Sequence, residues 1–259
     1  MRVAEAGFLE NYANNSSPAT NAPVLSVSDR AEGRYRRRSL LWAESGLSRV
    51  RKCGKVRRSE YVTVRLRDGV AGYSGLCTCG SVWSCPVCNA KVMSRRAVEI
   101  GCAVTAWHLR GGRIGFLTFT MRHYLGQALP MLWASGSKAW GSVTAGKVWL
   151  ADQSAALVEG YLRVAETTWG ANGWHVHFHV LVFLDGSSTE EDLSRLHGSM
   201  FGRWSRSLQR QGLDAPLAVG QDARFIDSAG DSDLAAYLAK AVDHADSAKS
   251  IALEFTWSQ

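Results

Sequence analysis

The sequence predicts an α+β chain whose sheet is largely antiparallel and flanked by helices. Three observations predict it. Segments 159–168 and 174–184 have strand character and flank Gly170-Ala171-Asn172-Gly173, a strong hairpin signal. The run Phe116-Leu-Thr-Phe-Thr-Met121 is short, apolar and rich in aromatic and β-branched residues, with glycine just upstream. Apolar residues then recur at helical spacing on either side of these strands. Connections that mix a hairpin with helices belong to the α+β class.

In chain order, residues 1–29 are rich in Asn, Ser, Ala and Pro without a sustained apolar period, and read as a mobile tail. From Arg30 to about Arg58 the chain is basic, with Leu40, Leu41 and Trp42 as an anchor. Residues 61–66 alternate as a strand does. A cysteine cluster follows. Residues 89–110 carry Val92, Ala97, Ile100, Val104 and Trp107 among the apolar positions of a long helix. After the strand at 116–121, residues 126–145 hold another helix, then the hairpin. Ser188-Thr-Glu-Glu191 resembles a capping box, opening a helix with Leu193, Leu196, Met200, Trp204 and Leu208 inward. A strand is expected near 223–226, and Asp231 or Ser232 caps a last helix to about His244. The organisation is a tail (1–29), a basic segment with the cysteine element and its helix (30–110), and a main domain (111–259).

Composition narrows the function. The chain has 259 residues, 46% of them hydrophobic, which suffices for a core and excludes wholesale disorder. No apolar run approaches the roughly 18 to 20 residues of a membrane span, and the N-terminus lacks a secretory signal's apolar core. A cytoplasmic location is expected. The net charge of +7 is uneven. Residues 30–67 hold 13 Lys/Arg against 3 Asp/Glu, whereas residues 185–259 hold 7 against 12. Such a basic block is either a solvated face or a contact for a polyanion, most often nucleic acid.

Trp174-His-Val-His-Phe-His-Val-Leu-Val-Phe183 concentrates the chemistry. Strand side chains alternate faces, so His175, His177 and His179 share one face while Val176, Phe178 and Val180 share the other. Imidazoles grouped in this way can bind a divalent ion. The hairpin adds Glu166. If residues 170–173 form the loop, Glu166 lies opposite His177; if the loop tightens to Asn172-Gly173, it lies opposite His179. Both registers put it on the histidine face, because they differ by two. A carboxylate beside imidazoles suits a hard, catalytically useful ion.

A second stripe is Asp233-Leu-Ala-Ala-Tyr237-Leu-Ala-Lys240, where Asp233, Tyr237 and Lys240 share one helix face. A phenol can attack phosphorus and form a covalent intermediate, with Lys240 steadying the phosphate and Asp233 acting as a later general base. By itself such a tyrosine is more often a packing residue. Cys77, Cys79, Cys85 and Cys88 fall within twelve residues and offer thiolates for a structural Zn²⁺. Cys-x-Cys is tight, so Cys53 or a histidine can replace one of Cys77 and Cys79. Arg95 and Arg96 near the start of the following helix, and Arg57 and Arg58 before the cluster, are candidate phosphate contacts.

Together these residues resemble the HUH endonuclease superfamily, and within it the plasmid rolling-circle replication initiators. Phe116-Leu-Thr-Phe-Thr120 is similar to the first motif of that family, His177-Phe-His179-Val-Leu-Val182 to the second and Tyr237-Leu-Ala-Lys240 to the third, in the family's order. The resemblance covers roughly residues 75–245. It implies a ferredoxin-like or RRM-like antiparallel sheet, and Mg²⁺ or Mn²⁺ on His177 and His179 with Glu166 or, as a rival, His175 as third ligand. It further implies strand-specific nicking and rejoining of single-stranded origin DNA through a phosphotyrosyl link at Tyr237, with host helicase and polymerase as partners. Members with one tyrosine often carry Glu four residues before it; here the residue is Asp233, which leaves hydrolytic termination open. Related initiators often extend further beyond the tyrosine, so a shortened C-terminus is expected. Rival readings are a relaxase or single-strand transposase with the same chemistry, a non-catalytic zinc-stabilised DNA-binding protein, and a zinc hydrolase using three histidines.

Overall fold

The computed structural model describes residues 27–67 and 70–226. The tyrosine stripe with Asp233, Tyr237 and Lys240, the last helix and most of the expected tail lie outside them. Helix α1 (Val27–Glu44) and the short α2 (Ser48–Lys52) precede a two-stranded ribbon, β1 (Thr63–Arg67) and β2 (Val70–Ser74). Helix α3 (Pro86–Leu109) leads into the main sheet. That sheet is formed by β3 (Arg113–Thr120), β4 (Val158–Gly170), β5 (Gly173–Leu184) and β6 (Asp222–Ile226). Helices α4 (Leu129–Val143) and α5 (Gly146–Ala155) connect β3 to β4, and α6 (Glu190–Arg210) connects β5 to β6. The strand order is β4-β5-β3-β6 and every pairing is antiparallel. The expected α+β architecture, antiparallel with flanking helices, is what forms.

Alternation along the strands separates two faces. Leu117 and Phe119 of β3, with Val176, Phe178, Val180, Val182 and Leu184 of β5, face the layer of α4 and α6. There they meet Leu129, Leu132 and Trp140 on one helix and Leu196, Met200 and Trp204 on the other. Phe178 and Trp204 are wholly buried, and each such side chain contributes about 1.5–3 kcal/mol of burial energy. The Trp204 indole donates to the Thr120 carbonyl at 2.8 Å, which ties α6 to the end of β3. On the opposite face Ile114, Phe116 and Leu181 pack against Ile100 and Val104 of α3. The Trp107 indole donates to the Leu184 carbonyl at 3.0 Å. Helix α3 therefore covers the end of this face where β5 finishes. The histidines stand at the end where β5 begins.

Local chemistry explains the boundaries. Helix α3 starts with Pro86 at its first position, where a missing N–H costs nothing, so it begins three residues before the expected start. The capping box on α6 forms with Thr189 as N-cap and Asp192 as its partner, one residue later than Ser188-to-Glu191 would place it. The β4–β5 turn closes with Trp169 opposite Trp174 and Gly170 opposite Gly173, the register set by residues 170–173. Gly173 sits at φ +89, where a Cβ would lie 3.0 Å from the Tyr124 carbonyl oxygen. Several elements were not expected from the sequence, the short α2 in the basic segment among them. Helix α1 lies in the basic segment, β2 completes the ribbon, and α5 follows what reads as a single helical stretch.

Candidate active site and cysteine cluster

The β4–β5 register places Glu166 directly across from His177, with His179 one pleat further on. His177 Nε2 lies 3.0 Å from Glu166 Oε2, and His179 Nε2 lies 3.2 Å from the same oxygen. One carboxylate oxygen and two imidazole nitrogens thus converge on a single point, and these three residues form a group that could hold a metal ion. Both histidines are buried, whereas the Glu166 side chain keeps 36% of its surface exposed. The site is open to an incoming molecule on the carboxylate side. Burial acts to raise the Glu166 carboxyl, but its hydrogen bonds with His177 and His179 prevail and hold it well below the usual carboxylate range. Burial also lowers His179, favouring the neutral ring that can donate a lone pair.

His175 shares the face but does not join the group. Its ring stacks on His123 at 4.8 Å between centroids, and burial pushes it down to about 3. Of the two candidates for a third ligand, Glu166 is the one brought into contact with both His177 and His179. His123 escapes sequence reading because it is a lone histidine in the loop after β3. Two threonines of β3 frame the centre from the other side. Thr118, opposite His179 in the sheet, places its Oγ1 3.2 Å from His179 Nδ1. Thr120 donates to the Gly220 carbonyl and accepts from Gln221 Nε2, fastening the chain that enters β6.

The cysteines form a second group with a different membership. Cys53, Cys79, Cys85 and Cys88 gather their sulfurs, and Cys77 stays outside. Sulfur separations are 3.8 Å for Cys53–Cys85, 3.6 Å for Cys53–Cys88 and 3.5 Å for Cys79–Cys88. The exclusion of Cys77 has a backbone cause. Its N–H donates to Val56 and its carbonyl accepts from Gly54, so it is a rung of the local pairing, and its sulfur lies 3.9 Å from the Arg57 carbonyl. Cys53 and Cys79 are each followed by a glycine of positive φ, Gly54 at 65 and Gly80 at 63. These matching Cys-Gly turns are the sequence signal that marks Cys53 as the counterpart of Cys79. Hydrogen bonds from neighbouring cysteines favour the thiolate at Cys53 and Cys88, while the same crowding holds Cys79 and Cys85 protonated.

None of the four candidate phosphate contacts belongs to the sheet group. Arg57 and Arg58 are exposed beside the cysteine group. Arg95 and Arg96 are exposed in the body of α3 rather than near its start, and Arg95 pairs with Glu99 at 3.0 Å. The Arg38 guanidinium and the Lys55 ammonium both lie over the Trp42 ring. The Trp42 indole in turn donates to the Cys53 carbonyl at 2.8 Å. The expected anchor divides accordingly: Leu41 is buried, Trp42 is partly buried and Leu40 is exposed.

An antiparallel sheet with a two-histidine, one-carboxylate group, together with a separate cysteine group, defines the class of protein. Residues 76–210, 135 of the 259, match the family model described as Replication protein, and the chain belongs to that family. Among curated proteins, a "Protein rep" of Streptomyces lividans is 27% identical over 232 residues, covering 71% of this chain and 50% of that protein. A "Neomycin resistance protein" of Streptomyces cyanogenus is 30% identical over 150 residues, covering 48% of this chain and 34% of its own length. The chain spans about half the length of the first relative and about a third of the second. No solved structure matches it. No helix among the described residues is long and apolar enough to cross a membrane.

Proposed function

We propose that this chain carries the nicking centre of a plasmid rolling-circle replication initiator of the HUH type. The observation that carries the reading is the convergence of His177, His179 and Glu166 on one open sheet face. Membership of the replication protein family supports it over the relaxase and transposase readings. The strand sequence β-α-β-β-α-β with order β4-β5-β3-β6 supports a ferredoxin-like arrangement of the sheet.

The donor set suits a hard divalent ion, Mg²⁺ or Mn²⁺, held by His177 Nε2, His179 Nε2 and a Glu166 oxygen. When bound, such an ion polarises the scissile phosphate and neutralises charge that develops on it. Tyr237 supplies the nucleophile. Its phenolic oxygen bonds to phosphorus, the bond from phosphorus to the 3′-oxygen breaks, and the tyrosine proton leaves on the 3′-hydroxyl. The 5′-phosphate remains on Tyr237, and the exchange of one phosphodiester for another keeps the strand ready for rejoining. Lys240 steadies the phosphate, and Asp233 receives the proton of a water that later attacks. The released 3′-hydroxyl is a primer for a host polymerase, with a helicase opening the duplex ahead.

At the cysteine group the sulfur separations of 3.5–3.8 Å match a tetrahedral Zn²⁺, whose bonds of about 2.3 Å imply edges near 3.8 Å. We assign Cys53, Cys79, Cys85 and Cys88 as its ligands. The ion is structural, joining the basic segment to α3, and Arg57, Arg58, Arg95 and Arg96 present positive charge to DNA phosphates.

The test is incubation of the full chain with Mn²⁺ and labelled single-stranded DNA from its replicon, read on a denaturing protein gel. A labelled protein band that EDTA abolishes and Tyr237→Phe removes is expected. Cleavage that survives Tyr237→Phe, or cleavage without any protein adduct, would replace this mechanism with hydrolysis by a metal-bound water.

A further inference from the structure

We infer that Thr118 is a positioning residue for the metal centre, holding the His179 ring through Nδ1 so that Nε2 faces the ion. The inference rests on the reading of Glu166, His177 and His179 as metal ligands and adds a residue to it. Strand β3 is buried on both faces, and Thr118 is 4% exposed. In such a strand valine has almost the same shape and needs no partner, whereas a buried hydroxyl costs free energy unless it is hydrogen-bonded. The partner Thr118 has is His179 Nδ1, at 3.2 Å.

A neutral imidazole carries one proton, on one of its two nitrogens. His179 Nε2 already faces Glu166. With the proton on Nε2 the ring donates to the carboxylate and offers no lone pair there. With the proton on Nδ1 the ring donates to Thr118 Oγ1 and turns the Nε2 lone pair toward the point shared with Glu166 and His177. A hydroxyl can also donate to a bare Nδ1, so Thr118 does not choose the tautomer by itself; once an ion takes the Nε2 lone pair, Oγ1 accepts the Nδ1 proton and holds the ring in place. The face of the Phe116 ring stacks on His179 at 5.2 Å and 17° between planes, and fixes the tilt of the imidazole. His177 differs, because its buried Nδ1 has no hydrogen-bond partner. Of the two imidazoles, His179 is the one whose far nitrogen is held.

The test is Mn²⁺ affinity of the full chain, read from the loss of the free-ion paramagnetic resonance signal on titration, for wild type, Thr118→Val and Thr118→Ser. Manganese is the probe because a hard ion does not compete for the thiolate group. Loss of such an outer hydrogen bond lowers metal affinity about 10- to 100-fold. We expect that loss in Thr118→Val, affinity near the wild-type value in Thr118→Ser, and similar melting temperatures for all three without manganese. Unchanged affinity in Thr118→Val, or an equal loss in Thr118→Ser, overturns the role of the hydroxyl while leaving the metal centre in place. A wild-type chain that takes up no manganese removes the metal centre itself, and the positioning role with it.

Discussion

Five imidazoles among the described residues, those on or beside the main sheet, fall into three distinct environments. His177 and His179 face a shared carboxylate. His175 and His123 stack on one another at the edge of the centre. His197 sits on α6, with its ring near Phe119 and Phe201, and its Nε2 is buried without a hydrogen-bond partner. Burial lowers the affinity of His197 for a proton. The unfolded chain takes up that proton below about pH 6.5, while the folded chain resists it. Stability contributed by the neutral ring is therefore present above that pH and is lost as pH falls. His197→Phe should raise the melting temperature more at pH 5 than at pH 8, measured by calorimetry. An equal shift at both pH values would show that the ring's packing, and not its proton, decides the effect.

Helix α6 braces the main sheet on the face opposite the site. Its apolar stripe of Leu193, Leu196, Met200, Trp204 and Leu208 packs into the core under the main sheet. Its first turn is held by the Thr189–Asp192 capping box, in which Thr189 Oγ1 accepts from the Asp192 N–H at 3.2 Å and Asp192 accepts from the Thr189 N–H at 2.9 Å. Glu190, Glu191 and Asp192 add negative charge at the positive end of the helix dipole. Thr189→Ala should cost about 1 kcal/mol in urea denaturation, and Thr189→Ser should recover most of it. Loss of the cap leaves the β4–β5 register untouched, so Mn²⁺ affinity should stay the same.

At the scale of the whole molecule, two candidate metal groups among the described residues sit in separately packed regions. The cysteine sulfurs form their own buried cluster, distinct from the two apolar clusters on the faces of the main sheet. Cys85→Ser should therefore lower bound zinc from one equivalent to near zero by atomic absorption and loosen the basic segment, leaving Mn²⁺ uptake at the sheet intact. Cys77→Ser should retain the full equivalent. Zinc lost from Cys77→Ser and kept in Cys53→Ser would reverse the assignment of the fourth ligand. Exposed ion pairs such as Arg95–Glu99 contribute little beside these two groups.

Much of the architecture was legible in the sequence, because periodicity and turn chemistry act locally. The alternation of Trp174 to Phe183 determined that three histidines share a face, and both loop registers determined that Glu166 joins them. The order of the three motifs pointed to the replication family that the comparison then showed. Helix α1 was hidden because its basic residues mask a weak apolar period, and α5, which begins just past the expected end at residue 145, because it buries Trp149 without an apolar stripe. Other matters depended on residues far apart in the chain. Whether Cys53 or Cys77 completes the sulfur group was decided by the pairing of Gly54 and Val56 with Cys77, which turns that side chain away. The contact of Thr118 with His179 spans 61 residues and follows from the β3–β5 pairing. Sequence patterns determined which side chains face the same way. Tertiary structure decided which atoms meet, because that depends on strand order and backbone direction across segments with no local signal for each other.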